Sequence, residues 1–355
     1  VTYPLKKPVR YGFRELIDSF MDNYVQQFLP AIETELHQIV NLVDGPDMTE
    51  LYSMMTYHMG WEGEGAGPDA TGKRVRPMLV LLTNAAAGSK WEEALPAAAA
   101  VELVHNFSLI HDDIEDNSPL RRGRLTVWKK WGVAQAINTG DAMFTIAHLA
   151  LQRLNAKSSK ATVIEASRIL QETCLKLTQG QYLDIAYESR GDLTLESYWP
   201  MVSGKTAALL AACTELGALI AETPQEQQNS YRDFGFSLGL AFQAQDDLLG
   251  IWGDSTLTGK SAESDLITGK KSLPVLYGLS QNGDFAQRWA QGEISTAEVP
   301  ALAAQLEAEG ARTHTQDAAN RLTEAALKAL EDAKPKGHAG EALCSLAMRL
   351  LRRQF

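Results

Sequence analysis

The stretch His111-Asp112-Asp113-Ile114-Glu115-Asp116 ends a segment whose apolar residues recur at three- and four-residue spacing. This periodicity predicts a helix. Residues i and i+4 share one face of a helix, so Asp112 and Asp116 point the same way, with Asp113 beside them. Carboxylates on one face repel one another unless a cation neutralises them, and Mg²⁺ prefers such oxygen ligands. The stretch therefore predicts a Mg²⁺ site at the end of a helix.

A second acidic stretch, Gln245-Asp246-Asp247-Leu248-Leu249-Gly250, lies far downstream and also continues an apolar helical pattern. Two such clusters that face each other across a cavity could hold several Mg²⁺ ions and one highly charged anion. A diphosphate is the natural candidate for that anion.

Helical periodicity dominates the rest of the chain, and strand-like alternation flanked by hairpin turns is not seen in the sequence. The predicted helical segments are 12–42, 74–87, 91–115, 133–154, 159–187, 195–221, 225–248 and 317–352. The segment Ala207–Ala221 is apolar nearly all round, which is typical of a helix inside a bundle. One all-α domain over residues 1–355 is the simplest prediction. Residues 1–60 and those beyond about 281 carry the weakest signals.

The amino-acid composition argues against some classes of binding partner and favours one cellular setting. The 355-residue chain has a net charge of −11, which argues against nucleic acid or an acidic membrane surface as a general partner. Its three cysteines, Cys174, Cys213 and Cys344, are far apart and in no metal-binding spacing, so we expect a reduced, cytoplasmic setting. No apolar run approaches the length of a membrane span.

An acidic protein that binds a diphosphate needs local clusters of cations. Arg121 and Arg122 follow the first acidic stretch on a loop bounded by Pro119 and Gly123. Arginine matches phosphate oxygens with two parallel hydrogen bonds. An acidic helix followed by a solvated basic loop is the alternative reading of these residues.

Other basic residues lie elsewhere along the chain. Lys73 and Arg76 open an apolar helix, where backbone N–H groups also favour anions. Gly-Lys pairs occur at Lys205, Lys260 and Lys270, without the glycine spacing and preceding strand of a P-loop. His105 would by default be a core histidine, with anion binding as the competing role. No Ser/His/Asp or Cys/His pair stands out, so metal and charge must supply the chemistry.

Together these residues resemble the trans-isoprenyl diphosphate synthases, the head-to-tail prenyltransferases. The resemblance covers residues from about Gly72 to Pro274, with six motifs in the family's order and approximate spacing. They are Gly-Lys-Arg-Val-Arg-Pro (72–77), His-Asp-Asp-Ile-Glu-Asp (111–116) with Arg121-Arg122-Gly123, Gly-Gln-Tyr-Leu-Asp (180–184), Gly-Lys-Thr (204–206), Phe-Gln-Ala-Gln-Asp-Asp (242–247) and Gly-Lys-Lys-Ser-Leu-Pro (269–274).

The resemblance implies a single-domain, all-α bundle around a deep central cavity, usually in a homodimer. It implies condensation of isopentenyl diphosphate with an allylic diphosphate, assisted by about three Mg²⁺ ions. The implied metal residues are Asp112, Asp113, Asp116, Asp246 and Asp247. Those implied for the allylic diphosphate are Arg121, Lys205, Gln243, Lys260 and Lys270, and those for isopentenyl diphosphate are Lys73, Arg76, His105 and Arg122. Thr206 and Gln181 would steady the allylic cation through their oxygens.

The second acidic motif departs from the family, in which its last position is usually aspartate and not glycine. Either this aspartate is dispensable at Gly250, or Asp254 replaces it through water. Product length is expected to depend on Phe107 and Ser108, which lie one to two helical turns before Asp112 along the path of the growing chain. In the family, an aromatic residue at the position of Phe107 beside a small residue such as Ser108 accompanies short to medium products. The first acidic motif has no two-residue insertion, which resembles geranylgeranyl-producing enzymes, so geranylgeranyl diphosphate is the expected product.

Other readings stay open at this point. A farnesyl diphosphate synthase or a longer-chain synthase would share every motif. A class I terpene cyclase would share the first acidic motif and the helical fold, but it would not need the second diphosphate pocket. A regulatory subunit of a heteromeric synthase would tend to lose acidic residues that this chain keeps.

Overall fold

The computed structural model describes residues 11–253 and 264–352, and these are almost entirely helical, so the predicted all-α fold class is confirmed. In the described part the helices, α1 to α17 in order, are Tyr11–Val40, Thr49–His58, Pro68–Thr71, Val75–Ala87, Leu95–Glu115, Val127–Trp131, Val133–Gln152, Lys160–Glu188, Leu195–Val202, Ala208–Ile220, Gln225–Trp252, Ser264–Ile267, Leu273–Gln281, Asp284–Trp289, Val299–Ala308, Ala311–Asp332 and Gly337–Arg352. A short antiparallel hairpin joins β1, Leu120–Arg121, to β2, Arg124–Leu125.

The helices form two compact units. The first contains the described residues within Val1–Leu170, Cys213–Gln228 and Lys334–Leu346. The second contains those within Gln171–Ala212, Asn229–Ala333 and Ala347–Phe355. No helix in the described ranges is both long and apolar enough to cross a membrane.

Each unit has its own buried core. In the first unit, α5 packs against α1, α4 and α7, and its run Ala97–Ala100 is buried because small side chains let neighbouring helices approach. In the second unit, one cluster centres on Tyr198 and Leu276, and another on Phe285 and Leu306. These cores hold the long helices on which the acidic motifs lie.

Three local predictions were wrong. The segment 317–352 is two helices, because Pro335 cannot continue a helix and the chain turns through positive φ at Lys334 and Gly337. The segment 195–221 is interrupted by a π-helical turn at Ser203–Ala207. The third difference is the hairpin, whose two-residue strands are too short to leave an alternating pattern in the sequence.

The π-helical turn lies against α8 at a crossing made by two glycines. A Cβ added at Gly180 would overlap the backbone nitrogen of Lys205, and one added at Gly204 would lie 2.5 Å from the carbonyl oxygen of Lys176. The two backbones therefore touch, and side chains are excluded at both glycines. This crossing fixes Lys205 next to the segment that carries Gln181.

We predict that Gly180→Ala destabilises the protein although alanine is the better helix former. The added methyl group must push two backbones apart, which should lower the free energy of unfolding by about 1–3 kcal/mol. Gly191→Ala is the control, because a Cβ there would meet nothing within 4 Å. Urea unfolding measures both variants, and equal stabilities would contradict the backbone contact.

Candidate active site

The first acidic motif forms the end of α5, as predicted. The backbone N–H of Asp116 donates to the carbonyl of Asp112 at 2.8 Å, which places the two residues one helical turn apart. The chain then turns through Asn117, whose φ is +50°, and Pro119 follows. Asp112 is half-buried and Asp116 is exposed. Both carboxylates therefore lie at the open end of a helix.

Asp113 differs from its neighbours, because its side chain is only 2% exposed. The Arg121 Nε–H donates to both carboxylate oxygens of Asp113, at 2.9 and 3.0 Å, and Nη2 lies 2.8 Å from Oδ1 in the same ion pair. Burial raises the pKa of Asp113, and the charge of Arg121 opposes that shift. Asp113 therefore anchors Arg121, and its role as a metal ligand stays a prediction. Part of the Arg121 guanidinium is thus engaged inside the protein.

The two arginines after the motif lie on the hairpin instead of an irregular loop. Arg122 and Gly123 form its two-residue turn with φ values of +53° and +75°, which suit a type I′ turn. Arg122 Nη1 donates to the carbonyl of Ala70 at 2.8 Å. A Cβ added at Gly72 would lie 2.6 Å from the Arg122 guanidinium. The hairpin therefore carries Arg122 to the segment before Lys73.

A cavity of about 440 Å³ opens at this place in the first unit. It is lined by Pro68, Asp69, Gly72, Lys73, Arg74, Val75, Arg76, Glu102, His105 and Arg122. The four residues that the sequence assigned to isopentenyl diphosphate thus surround one space, which is large enough for a small ligand. Among the described residues, no hydrogen-bond partner is found for the buried Nε of Arg76.

Sequence reasoning missed the role of Arg74. Its side chain is 1% exposed, its φ is +49°, and its guanidinium lies between two carboxylates. Nε donates to Glu33 at 2.6 Å, and Nη1 donates to Glu102 at 2.9 Å. Arg74 therefore fixes the start of α4, whereas Arg76 two residues later lines the cavity. Two arginines in one motif cannot be told apart without knowing which faces a carboxylate.

His58 is a second residue whose place beside the arginines was not predicted from the sequence. Burial lowers its pKa to about 3, and the charges of Arg121, Arg122 and Arg74 add to the shift. Burial, followed by the neighbouring arginines, also lowers the pKa of His105 well below its usual range. Both imidazoles are neutral at neutral pH, so the positive charge of the cavity comes from lysine and arginine.

A small polar cavity of about 40 Å³ gathers a second set of residues in the second unit. Its polar lining is Asp184, Tyr198, Lys205, Thr206, Gln243, Asp247, Lys270 and Ser272. Five of these were predicted from the sequence and lie far apart in the chain. Gln181 is half-buried on α8 and Asp246 is half-buried on α11. Lys260 and Asp254 lie outside the described residues.

A chain of hydrogen bonds runs through this set. Thr206 Oγ1 donates to Gln243 Oε1 at 2.9 Å, and Gln243 Nε2 donates to Asp247 Oδ1 at 2.9 Å. The backbone N–H of Leu273 donates to Asp247 Oδ2, also at 2.9 Å. Asp247 is 1% exposed, so it acts as a buried link between α11 and α13. The predicted role of Asp247 as a metal ligand stays a prediction.

Lys205 has a partner that was not assigned from the sequence. Its ammonium forms an ion pair with Asp184, the last residue of the Gly-Gln-Tyr-Leu-Asp motif. Both side chains are only partly exposed. The spacing of the motif was the available signal, because Asp184 follows Gly180 by one helical turn and so returns to the crossing.

The residues around Gly250 explain why this position has glycine instead of aspartate. A Cβ at this position would lie 2.5 Å from Oδ2 of Asp265, a residue that is 9% exposed. An aspartate at position 250 would need the same space and would add a second negative charge. The departure from the family motif is therefore coupled to Asp265, fifteen residues further along the chain.

Comparisons with known proteins identify the family of this chain. The family model described as polyprenyl synthetase matches residues 67–305. The (2E,6E)-farnesyl diphosphate synthase of Mycobacterium tuberculosis is 39% identical over 329 residues, 88% of this chain and 89% of the relative. A geranylgeranyl diphosphate synthase of the same organism is 38% identical over 305 residues, 84% of this chain and 85% of the relative.

Solved structures extend the likeness to the fold. A polyprenyl synthetase from Streptomyces coelicolor A3(2) has a TM-score of 0.84 and 36% identity, with 93% of this chain and 99% of that chain covered. A geranylgeranyl pyrophosphate synthetase from Pyrococcus horikoshii Ot3 has a TM-score of 0.84 and 30% identity, with 96% and 99% covered.

The helical fold, the acidic motifs and these relatives define the chain as a prenyltransferase of isoprenoid biosynthesis. It belongs to the polyprenyl synthetase family, the trans-isoprenyl diphosphate synthases.

We predict that Gly250→Asp, which restores the family motif, lowers stability. The new side chain collides with Asp265 and repels its charge, which should cost about 1–3 kcal/mol in the free energy of unfolding. Asp265→Ala in the same chain should recover most of that loss, because the two substitutions are coupled. Urea unfolding of the single and double variants measures the coupling, and additive effects would contradict the contact.

Proposed function

We propose that the chain condenses isopentenyl diphosphate with an allylic diphosphate, head to tail, and that geranylgeranyl diphosphate is its main product. The supporting observation is the cavity lined by Lys73, Arg76, His105 and Arg122. A condensation needs a second diphosphate pocket besides the one at the acidic motifs, whereas simple ionisation or hydrolysis does not. Positive side chains gathered around one cavity suit that second pocket.

The metal site is proposed on the chemistry of its donors. Asp112, Asp116 and Asp246 offer only oxygen ligands, which suit Mg²⁺. Within the described residues, no group of three or more acidic, histidine or cysteine side chains that could hold a metal ion is found. Mg²⁺ usually completes its shell with water and substrate phosphates, so the proposed site relies on the bound diphosphate. When bound, about three Mg²⁺ ions would neutralise the charge of the departing diphosphate.

The protein side chains have separate proposed tasks. Lys205, Lys270 and Arg121 hold the allylic diphosphate, with Lys260 as a further contact. Gln243 uses one amide hydrogen on Asp247 and has a second available for a diphosphate oxygen.

Thr206 donates its hydroxyl hydrogen to Gln243, so its lone pairs remain available to a developing allylic cation. Gln181 offers an amide oxygen for the same purpose. The isopentenyl double bond then attacks the cation, and the diphosphate that has left takes the proton.

The proposal also covers the number of domains, the oligomeric state and the cellular compartment. We infer one domain over residues 1–355, in a cytoplasmic homodimer. The cysteines in the described residues are free, which supports a reduced setting.

Labelled isopentenyl diphosphate tests the proposal when it is incubated with purified protein, Mg²⁺ and each allylic diphosphate in turn. The proposal expects incorporation and a product of geranylgeranyl length by mass analysis. A terpene cyclase would instead convert an allylic diphosphate alone into a hydrocarbon. A regulatory subunit would show no turnover without a partner, and either of these results would overturn the proposal.

Asp112→Ala should lower kcat by about a hundredfold or more, since it removes a carboxylate that faces developing charge. Glu115→Ala, on the same helical turn, removes the same charge from a residue with no proposed task. Steady-state kinetics compares the two variants, and similar losses in both would contradict the assignment of Asp112.

Phe107→Ala should lengthen the products. Phe107 lies five residues, about 7.5 Å, before Asp112 along α5, and its ring packs edge-on against Phe144 at 5.1 Å. Removing the ring deepens the path of the growing chain. Ser108→Phe should have the opposite effect, because it fills space at the same level. Mass analysis of both product mixtures is the measurement. Unchanged product lengths would show that neither residue lies on the path of the growing chain.

A further inference from the structure

The loop before Lys73 forms a closed ring of backbone. Gly67 N–H donates to the carbonyl of Gly60 at 3.1 Å, and a Cβ at Gly60 would lie 2.5 Å from the backbone of Ala70. We call residues 60–70 the glycine loop. Its second limb continues directly into Gly72 and Lys73, which line the 440 Å³ cavity. The position of the loop therefore sets the position of one cavity wall.

Arg124 of the hairpin holds the glycine loop and the end of α2 through three backbone carbonyls. Nη1 donates to Tyr57 at 2.7 Å, Nη2 donates to Glu62 at 2.6 Å, and Nε donates to Glu64 at 2.9 Å. The guanidinium also lies 4.0 Å from the centre of the Tyr57 ring. Each of the three nitrogens of the rigid, planar guanidinium thus donates to a different carbonyl.

Glycines make room for this side chain. A Cβ at Gly63 would lie 3.3 Å from Arg124 Nη2, and one at Gly65 would lie 3.3 Å from Arg124 Cγ. Both glycines have positive φ, so the backbone there is shaped for glycine as well as for close approach. The loop is built around the arginine.

Arg122 holds the other limb of the same loop. It donates to the carbonyl of Ala70 and is separated from Arg124 only by Gly123. The Tyr57 hydroxyl donates back to the hairpin at the carbonyl of Leu125, at 2.9 Å. The hairpin is thus hydrogen-bonded to both limbs of the glycine loop, so a displacement of the hairpin should displace the loop as well.

We propose that Arg124 is a positioning residue for the isopentenyl diphosphate pocket. It does not line the cavity, but it fixes the loop that leads to Lys73 and the hairpin that carries Arg122. Pre-organised cations bind a diphosphate without a further cost for ordering the loop. This inference rests on the function proposed for the cavity.

The test compares Arg124→Gln and Arg124→Lys with wild type. Arg168→Gln is the control, because Arg168 is an exposed arginine that pairs with Glu165 on a single helix. Calorimetry measures the Kd of isopentenyl diphosphate without turnover, and kinetics measures KM for each substrate. Amide hydrogen exchange reports on residues 57–72.

The proposal expects Kd and KM for isopentenyl diphosphate to rise about tenfold in both Arg124 variants. The KM of the allylic substrate and kcat should change less than twofold, and exchange should quicken across residues 57–72. Arg168→Gln should behave as wild type.

Several results would overturn the proposal. Faster exchange with an unchanged Kd would show that the loop does not position the pocket. Wild-type affinity in Arg124→Lys would show that charge alone matters. Binding of isopentenyl diphosphate by wild type without turnover would overturn the proposed reaction, while the Kd of the variants would still decide the role of Arg124. A wild type that binds no isopentenyl diphosphate would overturn both.

Discussion

Charge that is buried or partly buried beside the site must meet an opposite charge or several hydrogen-bond partners, and most of the local architecture follows from this constraint. An unpaired ion in a protein interior costs several kcal/mol. Arg74 meets Glu33 and Glu102, Arg121 meets Asp113, and Lys205 meets Asp184. Apart from Arg121 and Asp113, these pairs join residues that are at least 21 positions apart in sequence. The side chains around each cavity are therefore held in place by the protein itself.

The same constraint separates the two residues of each Asp-Asp doublet. Neighbours on a helix point about 100° apart, so one carboxylate of a doublet faces outward when the other faces the core. Asp112 and Asp246 are half-buried, whereas Asp113 and Asp247 are almost fully buried. Asp113 anchors an arginine, and Asp247 anchors a glutamine and a helix start. In both motifs the second aspartate supports the structure around the first.

Structural features that depend on residues close together in sequence could be predicted, whereas features that depend on contacts between distant residues could not. The helix that ends at Glu115 follows from local periodicity, which needs no knowledge of neighbours. The grouping of Lys73, Arg76, His105 and Arg122 came from the resemblance to a family, and the structure places all four around one cavity.

Contacts between distant residues could not be predicted in the same way. The burial of Asp247 depends on a backbone N–H in another helix, and the glycine at position 250 depends on Asp265. The π-helical turn depends on the crossing at Gly180. None of these partners leaves a periodic signal in the chain, and the hold of Arg124 on the glycine loop is hidden for the same reason.

We propose that the chain binds two diphosphates, one through cationic side chains alone and one only with Mg²⁺. Calorimetric titration with isopentenyl diphosphate, and separately with an unreactive allylic thiolodiphosphate, tests this claim in Mg²⁺ and in EDTA. The account predicts that isopentenyl diphosphate still binds in EDTA, whereas the allylic analogue binds only with Mg²⁺. Equal loss of both ligands in EDTA would contradict it.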